Sequence, residues 1–422
     1  MDQWVPRVSA LLRRVRRRYL ETRARLAGRA FFCRSLAGRS EVNLCVNSDL
    51  TVSCTCHDVD GSGRIGDLGR QSLAEVLSGP ISRRFRRELA RGRLPTPLCS
   101  RCCDLRFVDR LGAERLAEIY CLPTYLKVEN TSACNLRCAS CPRGQIRRIR
   151  RKASLSLGDV ERIAAEMRNC GVERLSYLNF GEPFLSRTIR RELEIIRAIH
   201  PAVSIDVSTN AMAIDCDDKR EAALLIDDMQ VSLDGISQEM AEKYQRGIDF
   251  DRVLRNVTEL VAYRDARGCR RPRIVWKYLL FNWTERRKHL LRAIEMARRA
   301  GVDEILFEPT VSPFYGIPVR YYLGLLKGVA PRVSGGLCVV LRPSSADPAE
   351  RTPSAADTDA DQSAAALLVL DDQLNHLDVQ REPEIVPAVS SLTPLDQYLA
   401  ERDGNHRGNK AADDGSSEGL GT

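Results

Sequence analysis

Lys127-Val-Glu-Asn-Thr-Ser-Ala-Cys134-Asn-Leu-Arg-Cys138-Ala-Ser-Cys141-Pro-Arg-Gly is the stretch of sequence that decides the fold. A short apolar run suited to a buried strand, residues 126–128, leads into it. Alternating strand and helix patterns then continue to about residue 310. The three cysteines therefore belong to a loop at the end of the first strand of an α/β repeat, where active sites of such folds gather.

The spacing Cys-x3-Cys-x2-Cys places three thiolates on one short loop. Soft thiolates are the usual ligands of a [4Fe-4S] cluster, which normally takes four of them. If no fourth cysteine binds, one iron stays open to chelate a small molecule through an amine and a carboxylate. The alternative is a zinc knuckle, but zinc sites favour paired Cys-x2-Cys units and a fourth ligand.

The strand pattern predicts an α/β fold, a partial (β/α)6 TIM-like barrel, because six βα units span about 185 residues. Ser156 and Asp249 are predicted to cap two of the intervening helices. The six apolar runs that predict parallel strands are residues 126–128, 175–179, 203–207, 229–233, 274–280 and 304–307.

Across residues 124–310 the sequence resembles the radical S-adenosylmethionine (SAM) superfamily. The resemblance rests on the cysteine loop and on segments that follow it in order, which are Gly181-Glu182-Pro183, Ser208-Thr209-Asn210, Ser232-Leu233-Asp234-Gly235 and Tyr244-Gln245-Arg246-Gly247. It implies a [4Fe-4S] cluster on Cys134, Cys138 and Cys141. The residues that it implies for SAM binding are Gly181, Glu182, Pro183, Ser208, Asn210, Ser232, Asp234 and Arg246, with the arginine pairing with the SAM carboxylate.

The resemblance also implies the reaction. Members of the superfamily cleave SAM reductively to methionine and a 5′-deoxyadenosyl radical, which removes a hydrogen atom from the substrate. The cofactor supplies this chemistry, and the protein holds the reacting carbon against one C–H bond and excludes water. An electron donor such as a flavodoxin or a ferredoxin is an implied partner.

Residues 41–105 form a small cysteine-rich α+β module whose core is thin for its size. An alternating strand pair is predicted over residues 43–56 and a helix over residues 73–77. The module resembles the SPASM/twitch type of auxiliary cluster domain, although it precedes the barrel and lacks the cysteines for two clusters. We expect one auxiliary iron-sulfur cluster, with structural zinc as the alternative, on four of Cys45, Cys54, Cys56, Cys99, Cys102 and Cys103.

Six other cysteines are scattered along the chain and are expected to be small buried hydrophobes. They are Cys33, Cys121, Cys170, Cys216, Cys269 and Cys338.

The formal net charge of +9 combines two oppositely charged ends, +9 over residues 1–40 and −11 over residues 343–422, with a basic middle of about +11. Residues 1–40 hold eleven arginines against two acids, and residues 5–32 have the spacing of a basic amphipathic helix. Residues 331–422 are expected to be a mostly disordered, low-complexity acidic tail, although residues 367–370 are apolar enough for one local contact. Residues 106–330 form the expected core domain, so four regions make up the chain.

A radical SAM enzyme is the first functional hypothesis, with a modified peptide or small natural product as substrate. An RNA-modifying enzyme and a non-catalytic metal-cluster scaffold are the alternatives, but residues 13–18 lack interleaved aromatic side chains, so nucleic-acid recognition is not indicated. Without an apolar leader or membrane-spanning run, we expect a cytoplasmic protein. The substrate-binding candidates near the strand ends are Tyr177, Asn179, Lys277, Tyr278 and Glu308.

Overall fold

The structure is a computed structural model that describes residues 4–326, 332–334 and 337–341 of the 422-residue chain. Its strands are β1 (Arg29–Cys33), β2 (Cys45–Val46), β3 (Thr51–Ser53), β4 (Arg64–Asp67), β5 (Leu105–Asp109), β6 (Tyr125–Val128), β7 (Arg174–Ser176), β8 (Ser204–Thr209), β9 (Asp228–Ser232), β10 (Arg273–Leu280), β11 (Glu304–Pro309), β12 (Arg332–Ser334) and β13 (Leu337–Leu341). Eleven of them form one mixed sheet in the order β12-β13-β11-β10-β9-β8-β7-β6-β2-β3-β4, and β1 pairs with β5 in a separate antiparallel pair.

Helices alternate with the strands. They are α1 (Trp4–Leu26), α2 (Leu73–Ser78), α3 (Pro80–Ala90), α4 (Arg110–Ala117), α5 (Arg143–Ile149), α6 (Leu157–Cys170), α7 (Ile189–Ile199), α8 (Asp217–Leu224), α9 (Gln238–Glu242), α10 (Phe250–Ala266), α11 (Arg287–Ala300) and α12 (Val319–Tyr322). Short 3-10 helices span Pro97–Arg101, Pro183–Leu185 and Phe314–Gly316.

The central part of the sheet agrees with the sequence prediction. The six strands β6 to β11 lie side by side in chain order and all neighbouring pairs are parallel. The predicted caps are also confirmed, since the Ser156 side chain accepts from Asp159 N at the start of α6 and Asp249 accepts from Arg252 N at the start of α10. All six strand C-termini point to one edge, which is where the cysteine loop begins.

Two extensions continue the sheet beyond these six strands. On one edge, β13 runs parallel to β11 and β12 pairs antiparallel to β13. The boundary predicted at residue 330 therefore falls too early, because the apolar run Leu337–Leu341 adds a strand before the acidic sequence begins. The rest of the predicted tail, including the contact expected at residues 367–370, lies outside the described residues.

On the other edge, the cysteine-rich region joins the sheet through its backbone. The predicted hairpin is present as β2 and β3, and β2 also runs parallel to β6, with Cys45 opposite Lys127. The predicted helix at residues 73–77 is α2. Backbone pairing between β2 and β6 thus attaches an N-terminal region directly beside the strand that leads into the cysteine loop.

The N-terminal helix is shorter than predicted. It ends at Leu26 rather than at residue 32, because Gly28 adopts a left-handed conformation (φ 64°) and Arg29 begins β1. Helices α3 and α4 cover β1 and β5, and the buried Arg86 guanidinium donates to the backbone oxygens of Leu36, Leu77 and Ala117. The cysteine-bearing end of β1 is therefore fixed in a packed environment.

Candidate functional site

The three cysteines of the 134–141 loop lie together beyond the end of β6. Burial is the main cause that raises the pKa of each thiol, and at Cys138 the charges of Cys141, Asp234 and Cys134 add to it and bring the pKa to about 12. The loop also brings Leu136 N within 3.4 Å of Cys134 Sγ. Cys134 and Cys138 are half-buried, and Cys141 is exposed. Three neighbouring thiols that solvent can reach fit a cluster that keeps an exchangeable position.

The sequence of the loop favours a cluster over a single zinc ion. Zinc sites pair Cys-x2-Cys units with a fourth ligand, whereas the loop offers three cysteines. Among the residues that the structure describes, no group of three or more His, Cys, Asp or Glu side chains is placed to hold a metal ion. The choice between an iron-sulfur cluster and a zinc knuckle therefore rests on the spacing of the cysteines in the sequence.

Gly181 and Glu182 support one side of the cysteine loop. A Cβ atom at Gly181 would lie 1.8 Å from the backbone oxygen of Thr131, so only glycine permits this approach. Glu182 N donates to Ala133 O at 2.7 Å. The segment after β7 thus packs backbone to backbone against the residues that precede Cys134.

Residues 244–246 support the other side of the loop. Ala139 N donates to Tyr244 O, and Arg137 N donates to Arg246 O, both at 2.9 Å. The Arg246 side chain itself is exposed. The loop that holds the three cysteines is therefore clamped between two backbone segments that are distant in sequence.

The Glu182 carboxylate is occupied within the protein. It accepts from Thr209 Oγ1 at 2.6 Å, from Asn210 N at 2.8 Å and from Phe184 N at 3.2 Å. Burial raises its pKa, while these donors oppose the rise. The carboxylate links the Gly-Glu-Pro segment to the end of β8, and only the backbone of this segment is left to face a ligand.

The other residues implied for SAM binding follow β8 and β9. The hydroxyls of Ser208 and Ser232 lie 3.3 Å apart on neighbouring strands, and Asn210 Nδ2 donates to Asn135 Oδ1 of the cysteine loop at 2.8 Å. Asp234 is buried, and its carboxylate accepts from Leu279 N at 2.8 Å. Pro183 is buried at the start of a 3-10 helix. The structure therefore brings these residues to the same edge of the sheet as the three cysteines.

The inner face of the sheet is polar below this site. Ser176 Oγ donates to Asp206 at 2.6 Å, and the Lys277 ammonium pairs with Glu308 at 2.7 Å. Lys127 lies in the same layer, in register with Ser176 across β6 and β7. Ser176 is buried, whereas Lys127, Asp206, Lys277 and Glu308 are half-buried, so this polar layer is partly accessible to solvent.

Two of the five predicted substrate residues belong to the core instead. Tyr177 is fully buried and donates to Glu192 at 2.9 Å, and Tyr278 is fully buried with its hydroxyl 3.2 Å from Thr284 O. Their side chains are on the opposite side of the strands from Lys277 and Glu308. A strand position alone does not distinguish the two faces when both are covered.

A second group of thiols forms in the N-terminal region. The charges of Cys33 and Cys99 raise the pKa of Cys54 beyond the effect of burial, and the charge of Cys33 acts in the same way at Cys102. Cys33 is the last residue of β1, and Cys54 follows β3. Cys99 lies in the 3-10 helix Pro97–Arg101, and Cys102 follows that helix. Four cysteines from three segments thus converge. Their number matches the four thiolates that a closed cluster takes.

Cys33 packs against the hydrophobic core, as expected of a scattered cysteine, and it also lies near these thiols. The sequence places it 21 residues before Cys54 and next to a predicted helix, so spacing alone does not group it with the auxiliary set. Pairing of β1 with β5, which places Cys33 opposite Leu105, brings it next to Cys102.

The other three cysteines of the predicted auxiliary set lie elsewhere. Cys45 is in β2, and its thiol receives a hydrogen bond from Asn179 Nδ2 at 3.4 Å. Cys56 Sγ is 3.2 Å from His57 Nδ1, and the Asn43 amide donates to Cys103 Sγ at 3.1 Å. Burial opposes ionisation of Cys56, but the histidine contact and the charge of Lys127 together lower its pKa.

Gln245 is a residue of the site that sequence reasoning did not single out. It is buried, accepts from Asp234 N at 2.8 Å and donates to Ser232 O at 2.9 Å. It thereby fixes the end of β9 against the segment that braces the cysteine loop. Its position within the Tyr-Gln-Arg-Gly element was the available signal.

Comparisons with known proteins agree with this geometry. The profile of the radical SAM superfamily matches residues 128–265, which include the cysteine loop and both segments that brace it. Residues 128–265 match the radical SAM superfamily. The cofactors of this superfamily are a [4Fe-4S] cluster and SAM.

Two curated relatives are GTP 3′,8-cyclases. The protein from Chlorobaculum tepidum is 27% identical over 140 residues, which is 33% of this chain and 41% of the relative, and the one from Haemophilus ducreyi is 28% identical over 135 residues, 32% of this chain and 36% of the relative. The chain thus matches about two fifths or less of their length. The solved structure of Streptococcus suis SuiB bound to the precursor peptide SuiA has a TM-score of 0.41 at 14% identity, and covers 56% of this chain and 52% of SuiB.

Within the described residues, no helix is both long enough and apolar enough to cross a membrane.

Proposed function

We propose that this protein is a radical SAM enzyme that cleaves SAM reductively and removes a hydrogen atom from a polar substrate. The observation that carries the proposal is the 134–141 loop, whose three neighbouring thiols are accessible and which is clamped between residues 181–182 and 244–246. When bound there, the cluster and SAM supply the radical chemistry. The six parallel strands are proposed to curve into a partial (β/α)6 barrel around this site.

The chain's own residues would bind and orient SAM. The backbone of Gly181 to Pro183 is left to receive the amino group, because the Glu182 carboxylate is already hydrogen-bonded. Ser208, Ser232 and Asn210 supply hydroxyl and amide groups at the same edge. The exposed Arg246 guanidinium is proposed to pair with the SAM carboxylate, and buried Asp234 to hold the end of β9 in place.

We propose an auxiliary iron-sulfur cluster on Cys33, Cys54, Cys99 and Cys102. This set keeps three of the six cysteines predicted from the resemblance to SPASM/twitch modules and replaces the fourth ligand by Cys33. The support is the position of Cys33 and Cys99. Beyond the effect of burial, both raise the pKa of Cys54, and Cys33 also raises that of Cys102. Attachment of β2 to β6 leaves this group beside the sheet that bears the SAM site.

The polar inner face supports a polar substrate, and a peptide or small natural product fits that description. Lys127, Asp206, Lys277 and Glu308 offer charges of both signs, so hydrogen bonds and ion pairs would fix the substrate's orientation. A flavodoxin or a ferredoxin is proposed as electron donor, and the cytoplasm as the compartment.

Anaerobic reconstitution followed by measurement of 5′-deoxyadenosine tests the proposal. Wild-type protein given iron, sulfide, SAM and dithionite should produce it, and Cys134→Ala/Cys138→Ala/Cys141→Ala should not. Cys170→Ala, at the end of α6 and remote from both thiol groups, is the matched control and should behave as wild type. Equal 5′-deoxyadenosine from the triple variant would refute the assignment.

A further inference from the structure

Helix α1 exposes an apolar stripe that the described part of the chain leaves uncovered. Leu12, Val15, Tyr19 and Leu26 are 52%, 57%, 51% and 80% exposed. Their steps of three, four and seven residues follow a heptad, so the side chains line one face of the helix. Large apolar side chains gathered in a stripe mark an interaction surface, whereas single exposed ones do not.

The opposite face of α1 holds the helix in place. Leu20 and Ala24 are fully buried in the main core, and the Glu21 carboxylate accepts from Leu94 N at 2.9 Å. The exposed side also bears the arginines Arg14, Arg18 and Arg25. The helix therefore presents an apolar stripe with positive edges, fixed to the body by its other side.

The sequence of residues 364–380 has the complementary pattern. Leu367, Leu370, Leu374 and Leu377 repeat the alternation of three- and four-residue steps, and the segment contains three aspartates and no lysine or arginine. Such a pattern predicts an amphipathic helix with one apolar face and negative edges. The whole of residues 343–422 holds sixteen acids against five bases. Charge and spacing thus both match the exposed side of α1.

We propose that residues 364–380 bind the exposed stripe of α1 in a two-helix contact. The leucines pack against Leu12, Val15 and Tyr19, and the aspartates face the flanking arginines, as charged edge positions do in coiled coils. Leu367 follows Leu341, the end of β13, by 26 residues. An extended chain of that length reaches about 85 Å, more than the roughly 50 Å across a compact domain of this size.

Hydrogen–deuterium exchange of the full-length protein tests the contact from both sides. Leu370→Asp/Leu374→Asp should speed amide exchange across residues 11–26 about tenfold, because an uncovered helix opens more often. Val15→Asp should speed exchange across residues 364–380 to a similar degree, and it is tolerated because Val15 is exposed. Leu392→Asp/Leu395→Asp, in the same tail but outside the segment, is the matched control and should change neither region.

Several results would overturn the proposal. Exchange across residues 11–26 that is the same in wild type and Leu370→Asp/Leu374→Asp excludes the contact. Equal sedimentation of both proteins with phosphatidylcholine vesicles containing phosphatidylglycerol would assign the stripe to a membrane surface, whereas we expect the wild type to stay in solution. A dimer in light scattering that persists in the leucine variant and is lost in Val15→Asp would assign the stripe to a second copy.

Discussion

The two sets of neighbouring cysteines in this protein are assembled in opposite ways. Cys134, Cys138 and Cys141 come from one loop of eight residues, whereas Cys33, Cys54, Cys99 and Cys102 come from three segments and converge only when β1 pairs with β5 and β2 pairs with β3. The set on the 134–141 loop can be recognised from the spacing of its cysteines in the sequence. A group assembled by tertiary structure cannot be, and its proposed member Cys33 looks in the sequence like one of the scattered cysteines.

The local group nevertheless depends on distant residues for its shape. Its loop is clamped by residues 181–182 and 244–246 through backbone hydrogen bonds, and Gly181 allows an approach that no side chain would permit. The convergent group depends instead on the attachment of the N-terminal region to the sheet. The variants below each disturb one of these features.

Weakening the attachment of the N-terminal region to the sheet should have the largest effect, a loss of stability. Arg150 Nε donates to the Glu129 carboxylate at 2.7 Å in a buried ion pair, and Glu129 also accepts from Ser48 N after β2. Arg150→Met would leave that carboxylate buried without its partner, so we expect the free energy of unfolding to fall by about 3–5 kcal/mol. Urea unfolding measures it. Arg190→Met, which removes an exposed ion pair with Glu194, is the control and should leave stability unchanged.

Disturbing the segment that clamps the cysteine loop should have the next largest effect, a loss of SAM cleavage. Gly181→Ala places a methyl group 1.8 Å from Thr131 O, so the loop must shift and SAM cleavage should fall by about 100-fold. Formation of 5′-deoxyadenosine measures the loss. Gly158→Ala, in α6 with no atom within 4 Å of the added methyl, should retain wild-type activity. Full activity of Gly181→Ala would show that the close approach is dispensable.

Replacement of Asp234 should have a smaller effect, which is on the pH dependence of stability. Burial raises its pKa to about 7, whereas in the unfolded chain a carboxyl titrates near its ordinary value of about 3.9. Between those two pH values the folded chain keeps a proton that the unfolded chain has lost, so stability falls as the pH rises through this window. Asp234→Asn keeps an oxygen acceptor for Leu279 N and should remove that fall, on the order of 2 kcal/mol at pH 8.

Thermal unfolding of the metal-free protein at pH 5 and pH 8 measures the difference. Asp228→Asn, with a half-exposed carboxylate paired to Arg273, is the matched control and should follow the wild type. A wild-type protein as stable at pH 8 as at pH 5, relative to Asp234→Asn, would contradict the buried titration.

Removal of the tail should have the smallest effect. Truncation after Arg342 keeps β13 and its pairing with β11. Because neither thiol group nor any residue of the site lies beyond that point, iron content and 5′-deoxyadenosine formation should be unchanged. Loss of either would show that residues 343–422 support the site itself, beyond their proposed contact with α1.

Much of the fold could be predicted because its signals are local. Six apolar runs predicted six parallel strands, and Ser156 and Asp249 predicted two helix starts, since capping and burial act over a few residues. The short apolar run of β13 was missed because it lies next to a low-complexity sequence. The N-terminal helix was extended too far because the apolar residues of β1 continue its pattern.

In the site, too, residues in local motifs could be predicted, whereas residues whose place depends on tertiary structure could not. The cysteine loop and the segments that brace it were found by motif, but Tyr177 and Tyr278 were placed in the site although both are core residues. Both faces of a parallel strand are covered, so the sequence does not say which face a polar-tipped aromatic occupies. Cys33 and Gln245 were missed because their roles depend on contacts with residues far along the chain.

Iron and zinc content in a background of Cys134→Ala/Cys138→Ala/Cys141→Ala tests most directly whether the chain holds two separate clusters. Without the loop thiols, reconstituted protein should retain about four irons per chain, the content of one auxiliary cluster. Adding Cys33→Ala should remove them, whereas adding Cys45→Ala should leave them in place. Iron lost with Cys45→Ala and kept with Cys33→Ala, or stoichiometric zinc without iron, would contradict the account.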